Sequence, residues 1–414
     1  MRIKINNIFW IVILSLFPLF TNNLLAQGGS NYSILGLGDI NQVVTAGYES
    51  TSGTSIAMPS SYSINIVNPA LVSFAENTRL QLGYRFNQNY ERDDKSSLWQ
   101  NNGGINGINI VFAFDTSRKI ALALGMIPAS KVNYLVSKDF TVPYNETEIH
   151  GKSSYKGSGG LSSIYLTLSS KIFQGLHLGG TIFGSFGPID YSNEVTYYET
   201  YNYSSYFNQK DYFTGLGYKL GLYYELPENL AIGAYFSDYG KLNVERTKTY
   251  GSDLVNDTSF TEKFSVNSPK SFGFGLSYLT GKFLIGADYK ILNISNLNYG
   301  FSSDNKFKNS SEISFGLVRF GNPNKSADYG DRVTYKFGIG YSSLYYEIAS
   351  TNINEMKLSF GMALPFSQTG ILDLAFVLGQ RGTTNNGLVS QYFGKMIIDF
   401  SIGEGWFRPF KREY

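Results

Sequence analysis

The sequence predicts an all-β protein: a 14-stranded antiparallel transmembrane β-barrel that carries an N-terminal hatch, or plug, inside it. Three observations lead there. The composition is aromatic and poor in charge, short segments of period-two alternation recur along the chain, and the connections between them alternate long and short. Tyr (32), Phe (31) and Gly (44) are abundant, Pro is scarce (11), and 16% of the 414 residues are charged, against about 25% in ordinary soluble domains. The net charge is +2 with no basic block, which leaves no electrostatic footprint for nucleic acid.

The elements follow in chain order. Arg2 and Lys4 precede an apolar run from Ile8 to Phe20, and "TNNLLAQ" then offers cleavage after Ala26. Residues 1–26 therefore read as a secretory signal peptide. The run is shorter than the roughly 20 residues a spanning helix needs. The chain has no cysteine, so no disulfide framework, thiolate metal site or lipidated cysteine is expected.

Residues 27–78 are rich in Gly, Ser and Asn and alternate weakly. A barrel of fourteen strands is wider than the roughly eight whose side chains fill the interior, so this segment is expected to fold into the lumen as a hatch. Gly83, Gly217, Gly221, Gly273, Gly275, Gly338, Gly340 and Gly361 face inward by alternation and either leave room for it or ease sheet curvature.

Residues 79–414 are expected to form the barrel. Fourteen alternating segments fall at 79–90, 105–115, 119–131, 161–170, 176–188, 214–226, 229–239, 270–279, 282–292, 312–320, 334–342, 355–364, 371–380 and 391–403. In the clearest of them one side is apolar, as with Phe272, Phe274, Leu276 and Tyr278, while the other carries Ser271, Gly273, Gly275 and Ser277. A soluble sandwich shares that pattern, so the connections arbitrate. Odd-numbered ones are long (91–104, 132–160, 189–213, 240–269, 293–311, 343–354, 381–390) and most even ones are tight, such as "TSR", "PE" and "TG". Outer-membrane barrels sort their loops this way, with brief periplasmic turns and larger extracellular loops. Both termini are then expected in the periplasm. Tyr84, Phe86, Tyr224, Tyr235, Phe236, Tyr341, Tyr392 and Trp406 lie near segment ends, where interfacial girdles form. The tyrosine-dense "YSNEVTYYETYNYSSYFNQKDYF" reads as strand hairpins continued above the membrane, or as a binding surface.

The third segment, "IALALGMIPASKVNYL", contains Pro128. Proline gives no N–H to a ladder, and alternation nonetheless continues through Val132 and Tyr134. Either the strand ends there near the rim, or it bends out of the wall.

With "VNPALVSF" at 67–74, fourteen strands after it and a proline interrupting the third, the chain resembles the FadL/TodX family of outer-membrane channels for hydrophobic compounds. The resemblance implies that Asn68, Pro69 and Ala70 are the family's Asn-Pro-Ala box in the hatch. It also implies that Gly125, Ile127, Pro128 and Ala129 flank a lateral gate where the third strand kinks inward. The implied function is passive uptake of long-chain fatty acids or other hydrophobic small molecules, with no catalysis and no cofactor, by a monomer that exchanges ligand with outer-membrane lipid. The inward charges Arg85, Lys219, Asp288, Lys290, Lys336 and Asp399 would then turn an apolar ligand out of the lumen sideways. The alternative is a noncatalytic barrel serving as a secretion or assembly partner, or as an adhesin, through its long loops; a general porin is a third reading.

Other chemistry has thin support. His150 and His177 are the two histidines, too few for a three-imidazole metal site. His177 faces inward by alternation and reads as a hydrogen-bonding lumen residue, His150 as a solvated loop residue. "ERDDKSS" and "NPNKSADYGD" offer oxygen ligands without the spacing of a calcium loop, and the glycine strings open no phosphate-binding helix.

Overall fold

A computed structural model describes residues 29–405, save 42–44, 116, 145–146, 199–202, 301–304 and 325. The expected signal peptide and Trp406 lie outside the described residues. Among the described residues there are twenty strands: β1 (Asp39–Ile40), β2 (Thr78–Arg92), β3 (Ser97–Asp115), β4 (Ile120–Pro128), β5 (Ser130–Tyr144), β6 (Thr147–Gly159), β7 (Ser162–Phe173), β8 (Leu176–Tyr197), β9 (Ser204–Glu225), β10 (Leu230–Asp238), β11 (Lys241–Ser252), β12 (Val255–Asn267), β13 (Lys270–Thr280), β14 (Phe283–Asn293), β15 (Asn305–Phe307), β16 (Ser310–Arg319), β17 (Thr334–Ile348), β18 (Thr351–Pro365), β19 (Ile371–Gly382) and β20 (Ser390–Glu404).

Ten of these are halves of five interrupted strands: β4 with β5, β6 with β7, β10 with β11, β12 with β13, and β15 with β16. Counted so, and with β1 set apart, fourteen antiparallel staves close the barrel. The seam is a long ladder from Thr78↔Glu404 to Arg92↔Ser390. Lipid explains both the closure and the pattern, since a membrane leaves no water for an unpaired edge and selects apolar side chains outside. The outward set is exposed and oily, with Leu216 80%, Phe274 65% and Ile182 65% accessible. No helix among the described residues is long and apolar enough to cross a membrane.

The long connections are mostly strand. β5 and β6 form a hairpin from Val132↔Gly159 to Tyr144↔Thr147, β8 and β9 continue to Thr196↔Ser204, and β11 and β12 reach Ser252↔Val255. The tyrosine-dense stretch is thus largely hairpin. His150, expected in a loop, sits on β6, exposed, with Nδ1 3.0 Å from Thr141 Oγ1. At the opposite end most turns are tight, the connection 320–333 between β16 and β17 being longer; Glu228 and Asn229 both adopt left-handed φ (63° and 62°) between β9 and β10, the backbone that a two-residue hairpin turn demands.

The described residues of 29–77 pack against the inward-facing side chains. They include a short helix at Ala46–Glu49 and a 3₁₀ helix at Pro69–Phe74. The inward charges hold this segment by its backbone. Asp288 Oδ2 accepts from the amides of Ser55 and Ile56 (2.6 and 3.0 Å), and Asp399 Oδ2 accepts from Ala46 N (2.7 Å). Lys290 Nζ donates to Gly53 O (2.6 Å) and Lys219 Nζ to Ile66 O (2.8 Å). Lys336 pairs with Asp373 (2.8 Å) over the Tyr62 ring. Charges that alternation assigned to ligand steering are therefore occupied by the N-terminal segment. Tyr235, expected in an interfacial girdle, instead points inward and is buried, its hydroxyl 2.8 Å from Ser271 Oγ.

The glycines follow the same logic. A methyl group on Gly179 or Gly221 would run into Pro69 and Asn68, and one on Gly233 into the Ile56 carbonyl. These inward positions lack side chains because backbone lies against them. Gly221→Ala is expected to destabilise the protein by about 1–3 kcal/mol through overpacking, whereas an alanine at Gly281, around which space is open, tests only the turn. Thermal loss of heat-modifiable gel migration checks this: a fall in transition temperature for Gly221→Ala is expected, and wild-type behaviour would refute the packing argument.

Candidate functional site

Two features of the interior could act on a solute: a break in the wall at the third stave and a chamber behind it. The break begins where β4 ends. Up to Ile108↔Met126, β3 is paired with β4. Beyond that point Ser97–Gly107 of β3 pair with β2 alone among the described residues, because β5 has bent inward. Pro128 is the last residue of β4, paired with Ser162 of β7. Ala129 and Ser130 then both donate their amides to Leu161 O (2.7 and 3.0 Å). A β-bulge at Asn106, where the β2–β3 register shifts, adds curvature to the other lip. Ile105 on that lip is 70% exposed, and nothing lies within 4 Å of where a Gly104 side chain would begin.

A strand that leaves a wall carries unpaired backbone groups, each worth several kcal/mol where no water reaches. The N-terminal segment supplies the partners. β1 pairs with β5 at Asp39↔Lys131 and Ile40↔Ser130, Asn41 N donates to Ala129 O (2.9 Å), and Ser33 Oγ both accepts from Asn133 N and donates to Asn133 O (3.0 and 3.1 Å). Across the opening Lys131 Nζ donates to Asn102 Oδ1 at 2.7 Å.

Behind the gap lies a chamber of about 490 Å³. Its walls mix apolar side chains, among them Ile105, Leu161, Leu292 and Phe393, with paired charges. Arg85 pairs with Glu49 (2.5 Å), Lys290 and Lys357 share Glu312 (3.1 Å each), and Arg381 bridges Asp39 and Glu355 (2.6 and 2.7 Å). Above it the mouth of the lumen is filled. Tyr32, Leu35 and Leu37 pack there with Phe213, Leu297, Tyr345 and Tyr346, and the Tyr345 hydroxyl bonds Leu35 O and Gly38 O (2.8 and 2.7 Å).

Of the four residues expected at a gate, Pro128 lines the chamber. Ile127 and Ala129 instead flank it, packed on the inner and the mouth clusters respectively, while Gly125 lies below in the closed ladder, opposite Asn109 and Tyr165. Sequence reasoning missed Lys131 and Asn102; the former ends the third alternating segment, and its charge after a proline was the available signal.

Asn68, Pro69 and Ala70 touch no chamber. Asn68 caps the 3₁₀ helix through Oδ1 to Ala70 N (3.1 Å), and its Nδ2 donates to Ile56 O (2.7 Å) and to Leu222 O of β9 (2.9 Å). Pro69 starts that helix, where a missing N–H costs nothing. Next to it, His177 Nδ1 lies 2.6 Å from Ser73 Oγ, its ring stacked on Phe74 and its Nε2 4.0 Å from Glu225. Ser73 is fully buried, so this trio ties the segment to β8 and offers no approach to a substrate.

The closed antiparallel sheet and its oily exterior together define an outer-membrane-type β-barrel. A family model described as BamG matches residues 5–413, and the chain belongs to the BamG family. Among solved structures it is similar to the CymD monoaromatic hydrocarbon channel (15% identity, TM-score 0.58, covering 92% of this chain and 100% of that one). It is also similar to the Pseudomonas putida toluene transporter TodX (15%, 0.57, 90% and 99%) and to a Pseudomonas aeruginosa FadL homologue (12%, 0.60, 89% and 98%). The FadL/TodX fold implied by the sequence is thus the fold present. No curated protein matches the chain.

Asn68→Ala leaves two buried carbonyls and a helix-start amide without a partner, so a loss of about 2–4 kcal/mol is expected. Asn68→Asp restores the cap but not the two donations. The expected order of thermal stability is wild type above Asn68→Asp above Asn68→Ala; equal stability of all three would refute the role assigned to this side chain.

Proposed function

We propose that the protein is a passive outer-membrane channel for hydrophobic or amphipathic small molecules, exchanged with the bilayer through the gap between β3 and β5. The single observation that carries this reading is the lip of β3 that ladders with β2 alone among the described residues, facing an inward-bent β5, with a chamber directly behind. A closed wall would do for a purely structural barrel, and a breach with its backbone satisfied from inside is a costly feature to build otherwise. Residues 27–78 act as the hatch, Pro128 and Ala129 set the bend, and the protein works as a monomer with its C-terminal end in the periplasm. Supporting this, neighbours of the same fold are described as a monoaromatic hydrocarbon channel and a toluene transporter. Long-chain fatty acids fall within the same class. With the mouth above the chamber packed, the side opening is the route this reading assigns between chamber and membrane.

The chain has no cysteine, so a pair introduced as Asn102→Cys and Lys131→Cys is addressed cleanly by a cleavable bis-maleimide. Cross-linking is expected to abolish uptake of radiolabelled palmitate or toluene into cells expressing the protein, and cleavage to restore it. Pro128→Ala is expected to slow uptake with folding intact. Undiminished uptake through the cross-linked protein sinks the lateral route.

A second reading, a partner or adhesive surface for other proteins, draws on the hairpins. β5, β6, β8, β9, β11 and β12 form one sheet above the wall, and Val255 to Lys263 of β12 is a run of exposed residues including Phe260 at 61%. A stoichiometric complex purified from native membranes, lost on removal of residues 246–262 and indifferent to fatty ligands, would favour it over transport.

A further inference from the structure

We propose that residues 294–300 form a strap sealing the mouth of the lumen, latched by the bond from Tyr299 to the Asp211–Arg246 pair, and that release of this latch opens the chamber to water. The seal works alike for any solute the chamber takes, so it stands or falls apart from the uptake reading.

Burial along the strap shows how it covers the mouth. Ile294, Leu297 and Tyr299 are buried, while Ser295, Asn296, Asn298 and Gly300 are exposed. The buried three join the mouth cluster, to which Leu161, Leu292, Tyr345 and Tyr346 also belong. Those four line the chamber as well. One shared layer of side chains thus separates the chamber from the strap, and the strap separates that layer from water.

A polar cluster fastens the strap among these apolar residues. Asp211 of β9 has no accessible surface. Arg246 of β11 donates two bonds to it (2.8 and 2.9 Å), and Gln209 Nε2 a third (2.9 Å). Tyr299 reaches it from the strap, its hydroxyl donating to Asp211 Oδ2 at 2.7 Å. The Tyr299 ring stands edge-on to Phe213, with centres 5.0 Å apart and planes at 81°, and the Arg246 guanidinium lies 5.7 Å from its centre. The Tyr191 hydroxyl of β8 is 3.3 Å from that of Tyr299. One side chain therefore ties the strap to three strands of the hairpin sheet.

The chemistry of this contact suits a latch. Departure of Tyr299 breaks no ion pair: Asp211 keeps Arg246 and Gln209, and water takes the place of the phenol. The large penalty for stranding a buried charge never arises. The strap itself is loosely built, since no ladder among the described residues includes 294–300. Its main chain makes one turn, Leu297 N to Ile294 O at 3.0 Å. Amide side chains supply further ties, Asn309 Oδ1 to the N–H groups of Ile294 and Ser295 (3.2 and 3.3 Å) and Asn298 Oδ1 to Asn267 N (2.9 Å). A segment without ladder bonds opens at lower cost than the strands around it. Gly300 has φ 69°, and a methyl group on it would lie 3.0 Å from Gly36, so the strap presses on the hatch without being bonded into it there. The hatch stays when the strap lifts, because Asp288, Asp399 and Lys290 hold it from below.

The test places one cysteine in the chamber of a chain that has none. Ser342 lines the chamber, and Ser342→Cys is made in the full-length protein, purified in dodecyl maltoside so that the micelle covers the side gap. The rate of modification by a trimethylammonium-ethyl methanethiosulfonate, a water-borne cation, reports access. Adding Tyr299→Phe removes the hydroxyl and keeps the ring. Modification is then expected to speed up about ten- to a hundredfold, the worth of one hydrogen bond to a charged acceptor, and further with Tyr299→Ala. Tyr212→Phe, at an exposed neighbour of Asp211 on the opposite face, is expected to leave the rate unchanged. Heat-modifiable migration reports the folding of each variant, and if Tyr299→Ala does not fold the phenylalanine variant decides. Equal rates with and without the hydroxyl overturn the proposal, because the strap is then no barrier that Tyr299 controls. An equal rise in Tyr212→Phe overturns it as general loosening of the sheet. Failure of Tyr299→Phe to fold overturns it as well, making the hydroxyl a support of the barrel and not a latch.

Discussion

Everything in this barrel depends on one constraint: backbone N–H and C=O groups at membrane depth must find partners within the protein. Closure of the sheet between β2 and β20 meets it for most of the wall. At the third stave the wall opens, and the constraint is met from inside, by β1, Asn41 and Ser33 on the inner edge of β5. The N-terminal segment is therefore as much a part of the wall as any strand. Its position is fixed by where the wall would otherwise be unsatisfied.

The same economy governs the lumen. A segment of irregular backbone brought into a barrel carries many donors and acceptors, and the strands answer them with Asp288, Asp399, Lys290, Lys219 and Ser359. Glycines on the same strands let that backbone approach to contact. Charges and glycines are two halves of one arrangement, since a charge reaches a main-chain carbonyl only where its neighbours stand clear. Asn68 shows it in a single residue, bonded to its own helix, to the Ile56 carbonyl and to a strand carbonyl, with Gly221 and Gly233 alongside.

How the interior divides follows from this. Where the segment fills the lumen, cations are neutralised by its backbone or by carboxylates. Where it stops short, between the packed mouth and the break in the wall, a chamber remains, lined by Lys131 and Lys395 among other residues. The chamber is thus the space left when the segment has made its contacts.

The sequence by itself determined the fourteen staves, the oily exterior and the sorting of turns, because lipid imposes a period of two on every crossing and loop length needs no tertiary knowledge. Pro128 marked the bend for an equally local reason, a missing donor. What only the tertiary structure decided is who partners whom across the lumen. Inward charges look alike in sequence whether they face water, a ligand or a buried carbonyl, and the segment that occupies them has no periodicity to announce its path. The hairpins β5–β6 and β11–β12 were hidden likewise, since largely exposed strands show no apolar alternation, whereas the β8–β9 extension was legible in its tyrosines. Lys131 and Asn102 meet only because β5 leaves the wall, so no spacing along the chain could have joined them.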